Sequence, residues 1–157
     1  MRRYSLLSHL KTVPGSTPDS VDAAALGSWI DVVLRLGEEA GRAAVTFNYV
    51  GRLLAYAPAD ADGGWPHRAV RDQIERLRSD ELERGIKLGR YNMRGVHGKQ
   101  IYEGGEQERA LSLENAKNAE RAAAWPRTSA MLATIAKSWE AEAQRQDVEA
   151  AQRKMRG

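Results

Sequence analysis

A chain of 157 residues is long enough to bury one core and falls in the size range of a single domain. It contains no cysteine, which excludes a disulfide framework, a thiolate metal site and a thiol nucleophile. Its 24 Lys and Arg stand against 21 Asp and Glu, a net charge of +3, and the two signs are interleaved, as in "RDQIERLRSDELERG". Such alternation describes solvated helical faces with i,i+4 pairs better than it describes a nucleic-acid surface, which gathers its cations on one face.

With one Phe, four Trp and five Tyr, the core has to be built from Leu, Ile, Val and Ala with a few aromatic anchors. No apolar run approaches the roughly 20 residues that a membrane span needs. The opening "MRRYSLLSHLKTVPG" is basic and then apolar, but Ser8, His9 and Lys11 interrupt it too early for a signal peptide. A cytoplasmic protein that does not engage membranes is expected.

No segment sustains the period-two alternation of strands, so an all-α fold is predicted: a bundle of five to seven helices with a C-terminal helical hairpin. "SLLSHLKT" is a candidate short first helix. "PGSTPDS" breaks the chain, and Asp19 or Ser20 is placed to cap the next helix. There Leu26, Trp29, Ile30, Val33 and Leu36 form an apolar stripe, and Gly41 suits the end. "VTFNYVGRLLAYA" predicts a shorter helix, capped by Thr46, with Val50, Leu53 and Leu54 inward. "PADADGGWP" is a loop. Pro66 suits a first helical position, with Val70, Ile74 and Leu77 on one face behind it. Ser79 caps a continuation through Leu82, Ile86 and Leu88 that ends near Gly95.

The glycine-rich stretch "GRYNMRGVHGKQIYEGGEQER" follows. Gly89 and Gly95 are expected to mark a helix end, and Gly104 and Gly105 the entry to the next helix, about Glu106 to Ala124. Pro126 prevents an uninterrupted helix, so a last helix folds back and runs to about Lys154. Its stripe is Leu132, Ile135, Ala136, Trp139 and Ala143. Beyond Val148 it offers little apolar surface and is expected to project as a docking element. Trp-Pro occurs at Trp65–Pro66 and again about 60 residues later at Trp125–Pro126, a faint hint of duplication. The whole is read as one domain over 1–157: an N-terminal segment to about 20, a helical region over 21–95, a Gly-rich loop over 96–105 and the hairpin over 106–157.

The candidate binding residues come from that stretch and from the elbow: Arg90, Tyr91, Asn92, Arg94, His97, Gln107, Arg109 and Arg127. An Arg followed within a few residues by His resembles the catalytic motif of HEPN-type ribonucleases, in which His moves a proton and Arg offsets phosphate charge. On that resemblance Arg90 and His97 would be the pair, but Gly95 between them argues for a helix end where the family continues a helix. The alternative is that Arg90 and Arg94 sit on the last turns of a helix, where cations suit its dipole, and that His97 is a loop residue. His9, His67 and His97 lack ligand spacing, so no metal site is expected, and no cofactor or catalytic residue is assigned. Glu106 and Glu108 make the helix start after Gly105 unsuited to phosphate.

The segments "APADADGGWPHRAVRD", "GRYNMRGVH", "EGGEQER" and "WPRTSAML" resemble the C-terminal region of a group of long, uncharacterised bacterial helical proteins, over nearly the whole chain. The similar regions carry other residues where His97 stands, and the resemblance brings no activity or cofactor with it. It implies a free-standing copy or a C-terminal piece of a larger helical protein. The expected role is therefore a non-enzymatic protein-interaction or assembly module, working through a protein partner or self-association. The alternative is an RNA- or DNA-binding helical domain of weak affinity, with or without ribonuclease activity.

Overall fold

The computed structural model describes residues 10–94 and 104–157. Among these the chain is all-helical, with six helices: α1 (Ala23–Glu39), α2 (Ala43–Leu54), α3 (Arg68–Leu77), α4 (Asp80–Met93), α5 (Glu106–Arg121) and α6 (Pro126–Arg156). They divide into two compact units, Met1–Gly95 with α1–α4 and Val96–Gly157 with α5 and α6.

In the first unit the proposed helix over "SLLSHLKT" lies mostly outside the described residues, and its last three residues are not helical. A tight turn follows. Thr17 N donates to Ser20 O and Asp22 N to Gly15 O, which buries Val21. Because this turn occupies residues 15–22, the cap of α1 is Asp22, not Asp19 or Ser20; its Oδ1 accepts from Ala25 N at 2.9 Å. Leu26 and Ile30 are fully buried, each contributing about 1.5–3 kcal/mol, whereas Leu36 at the end of the stripe is half exposed. Gly41 adopts a left-handed φ of 67° just past the helix, as expected.

Thr46 does not cap α2. The helix begins three residues earlier, and Thr46 lies inside it, its hydroxyl bonded to Arg42 O and its side chain filling the space left by Gly37 of α1. Val50, Leu53 and Leu54 point inward as predicted. Helices α2 and α4 then meet at Gly51 and Gly85, backbone against backbone. Gly89 extends the contact toward Arg52 and Ala55. Gly89 therefore marks no helix end: it lies inside α4, where the absence of a Cβ admits α2. Gly95 is outside the described residues.

Ser79 caps α4 as the sequence predicts, its Oγ accepting from Leu82 N at 3.1 Å, with Leu82 and Ile86 fully buried. Pro66, however, does not open α3. The Trp65–Pro66 peptide is cis, and the cap is His67, whose Nδ1 accepts from Ala69 N at 3.1 Å. The second Trp-Pro pair differs, for Pro126 is the first residue of α6.

In the second unit α5 and α6 are antiparallel. Gly105 lies against the Ala143 backbone, Ser112 Oγ donates to Ala136 O at 2.8 Å, and Ser129 Oγ donates to Ala119 O at 2.8 Å. These contacts pin the two ends and the middle of one register. The predicted stripe of α6, from Leu132 through Trp139 to Ala143, is buried throughout. The seam also carries Glu108, Asn115, Asn118 and Thr128, all buried. None of the described helices is long and apolar enough to cross a membrane.

Candidate functional site

The loop between α2 and α3 holds a dense polar cluster. "PADADGG" places two carboxylates on a short, sharply turned segment, and the following helix supplies two guanidinium groups. Asp60 accepts from Arg68 Nε at 3.0 and 3.1 Å and from Nη2 at 2.8 Å. Asp62 accepts from Arg71 Nη1 at 2.9 Å and from Nη2 at 3.1 Å. Arg71 is fully buried, and it also donates to Pro66 O at 2.7 Å and Gly64 O at 3.1 Å. A cation in that position is held by its full set of partners rather than by water.

The electrostatics follow. Hydrogen bonds from Arg68 hold the Asp60 carboxyl well below the ordinary carboxylate range, against the opposing effect of its burial. Arg71 does the same for Asp62. Asp60 in turn raises Arg68. His67 accepts at Nδ1, and its Nε2 lies 3.7 Å from Asp60 Oδ1. Both carboxylates are thus paired with arginines, an arrangement that braces the loop. No group of three or more His, Asp and Glu is placed to hold a metal among the described residues.

Four of the predicted residues lie at the end of α4. Arg90 is half-buried, its guanidinium 4.1 Å from the centre of the Trp65 ring, a cation–π contact. Trp65 is itself buried, and its indole N–H donates to Ala57 O at 2.8 Å. Arg90 is therefore tied to the α2–α3 loop. Tyr91 and Asn92 are exposed, and Arg94 is the C-cap residue of α4. His97 lies outside the described residues.

The other three belong to the second unit. Arg109 donates through both terminal nitrogens to Asp147 Oδ2 at 2.8 Å, while Gly105 N donates to Asp147 Oδ1 at 2.9 Å. One carboxylate of α6 thereby clasps the first turn of α5. Gln107 is half-buried on that turn, and Arg127 is half-buried in the first turn of α6. The predicted residues consequently fall into two separate groups, one per unit.

Sequence reasoning missed Asp60, Asp62, Arg68, Arg71 and Asp147. The loop pairs had a usable signal in Asp-x-Asp-Gly-Gly with arginines eight and nine residues on. Asp147, nearly forty residues beyond Arg109, had none.

Past Asp147, α6 runs on beyond the end of α5 for nine residues, about 14 Å at helical rise. Ala150 is buried on one side of this extension. On the opposite side Val148 is 57 % exposed and Met155 80 % exposed, one heptad apart. Arg153 pairs with Glu149 at 3.3 Å, and Lys154 and Arg156 complete a basic end. Compared with known protein families, curated proteins and solved structures, the chain matches no family model, no curated protein and no solved structure.

Proposed function

We propose that the chain is a non-enzymatic assembly module whose docking element is the distal part of α6, and that the element pairs with a second copy of itself. The observation that carries this reading is the exposed Val148–Met155 face on a helix that outruns its hairpin partner. An antiparallel pair about a two-fold axis near Ala151 and Gln152 would set Val148 against Met155 of the other copy, and Glu149 against its Lys154. A parallel pair would oppose like charges at Arg153, Lys154 and Arg156 and is disfavoured. So short an overlap buries less than the roughly 1,000 Å² of a stable interface, so the association is weak and concentration-dependent.

The test is sedimentation of the full chain and of a chain ending at Val148, over a range from micromolar to about millimolar, with the thermal midpoint of each. The full chain should move from monomer to dimer with concentration, and the shortened chain should stay monomeric with its midpoint nearly unchanged. A monomer in both cases, or a midpoint that collapses on truncation, would remove the reading.

A further inference from the structure

The first unit carries a second surface of different chemistry. Two cavities adjoin on it, sharing Tyr56 as a common wall. One, of about 160 Å³, lies between α2 and α4, lined by Leu10, Tyr49, Arg52, Leu53, Gly89 and Asn92. The other, of about 310 Å³, lies between the 11–18 turn and Pro58, and it contains Lys11, Ser16 and Thr17. In a chain with 21 Asp and Glu spread along its length, no acidic side chain among the described residues lines either cavity. Neither Lys11 nor Arg52 has a carboxylate partner among the described residues.

The cation in the smaller cavity is preorganised. Arg52 lies over the Tyr49 ring at 5.1 Å and donates through Nε to Asn48 Oδ1 at 3.0 Å, so its position is fixed while its terminal nitrogens form no bond among the described residues. Tyr56 separates it from Lys11. Tyr56 is 37 % exposed, and its hydroxyl has no partner among the described residues. The order along the groove is cation, aromatic ring, cation. That alternation matches the phosphate–base–phosphate repeat of a single strand, in which a base stacks on a ring while backbone charges meet Lys or Arg. A duplex hides its bases and cannot use the ring.

We infer that this groove binds single-stranded nucleic acid without strong sequence preference, with one base on Tyr56 and the flanking phosphates on Arg52 and Lys11. The inference is independent of the assembly reading, since it rests on the other unit of the chain. Two phosphate contacts and one stacked base make a weak site, and a strong salt dependence is its signature.

The experiment is fluorescence anisotropy of a labelled twelve-residue oligo-dT titrated with the full chain at about 0.05 M and about 0.15 M salt, where screening already falls within about 8 Å. The wild type should bind at the lower salt and weaken at the higher. Tyr56→Ala should weaken binding by about five- to a hundredfold, the range seen when one stacking ring is removed. Tyr56→Leu, which keeps the bulk and loses the flat ring, should show the same loss and guards against a folding artefact. Arg52→Gln and Lys11→Gln should each lower the salt slope by about 0.7, and Arg84→Gln, an exposed arginine paired with Glu81, should change nothing. No binding by the wild type at 100 micromolar protein (about 0.05 M salt), or unaltered binding by both Tyr56 variants, would overturn the inference. Equal binding of a Glu-rich twelve-residue peptide would overturn it in favour of a general anion site.

Discussion

Gly51 and Gly85 meet backbone to backbone where α2 crosses α4: a Cβ built on either would stand 3.0 Å from the Cα of the other and would overlap a carbonyl oxygen, of Leu82 in one case and Asn48 in the other. Neither carbonyl can swing aside, since each belongs to a helix. Gly51→Ala and Gly85→Ala are each expected to cost about 2–3 kcal/mol by forcing the helices apart. Gly63→Ala provides the contrast. Nothing stands within 4 Å of a Cβ there, although φ is 79°, so its cost is confined to local backbone strain of about 1 kcal/mol. Urea unfolding of the three variants measures this. Equal losses would mean that the crossing is loose.

Acid should weaken the first unit through Asp60 and Asp62. Both carboxyls are depressed in the fold, so their contribution is fully present above the unfolded value of about 3.9 and is lost as pH falls from there toward the folded values. The urea midpoint should be level between pH 7 and about pH 5 and should drop below about pH 4. The double variant Asp60→Asn/Asp62→Asn should start lower and fall less steeply. Parallel curves for the two proteins would show that the loop pairs do not drive the acid response.

The two loop pairs should not be equivalent. Arg68 is more than half exposed, so Asp60→Asn leaves behind a cation that water can reach. Arg71 is fully buried, so Asp62→Ala removes the carboxylate set against its guanidinium, leaves the carbonyls of Pro66 and Gly64 in place, and should cost about 3 kcal/mol. A smaller loss for Asp62→Ala than for Asp60→Asn would reverse this assignment.

In the hairpin, Asp147→Ala should cost no more than about 1 kcal/mol, because the Arg109–Asp147 pair is nearly half exposed on both sides. Gly105→Ala should cost several times more, since its Cβ would run into the Ala143 backbone. Thermal midpoints of the two variants distinguish a clasp from a contact that sets the register.

Arg90 provides the last comparison. As a cation over a buried Trp65 ring, it should lose about 1 kcal/mol of stability as Arg90→Ala, with helicity retained. If the purified chain cleaved RNA, and both Arg90→Ala and His97→Ala abolished cleavage without unfolding, the ribonuclease resemblance would displace the assembly reading.

What was legible in the sequence depended on the range of the interaction. Ser79 could be read as a cap because it lies three residues from the amide it accepts, and the Trp139 stripe could be read from helical spacing alone. Asp22 was passed over because the hydrogen bonds of the 15–22 turn, which set the start of α1, carry no compositional mark. Gly89 looked like a helix end because a glycine admitting another helix and a glycine ending its own are the same letter. Pro66 was misplaced because His67, one residue on, supplies the cap through its ring nitrogen, a role that Ser, Thr, Asp and Asn fill more often. Arg90 and Arg94, read as one alternative on the last turns of a helix, do lie at the end of α4. The loop pairs remained hidden, since a buried Arg71 reads in sequence like any charged helical residue.

The bracing of the α2–α3 loop restricts insertions and deletions. Surface loops ordinarily absorb changes in length among related chains. Here the pairs Asp60–Arg68 and Asp62–Arg71 span the segment at separations of eight and nine residues, and the Trp65 indole reaches back to Ala57. Adding or removing one residue between Asp62 and Arg68 would shift both arginines against both aspartates at once. Among related chains the length of this segment should therefore be as fixed as that of a helix, while side chains such as Ala61, exposed at its tip, drift freely.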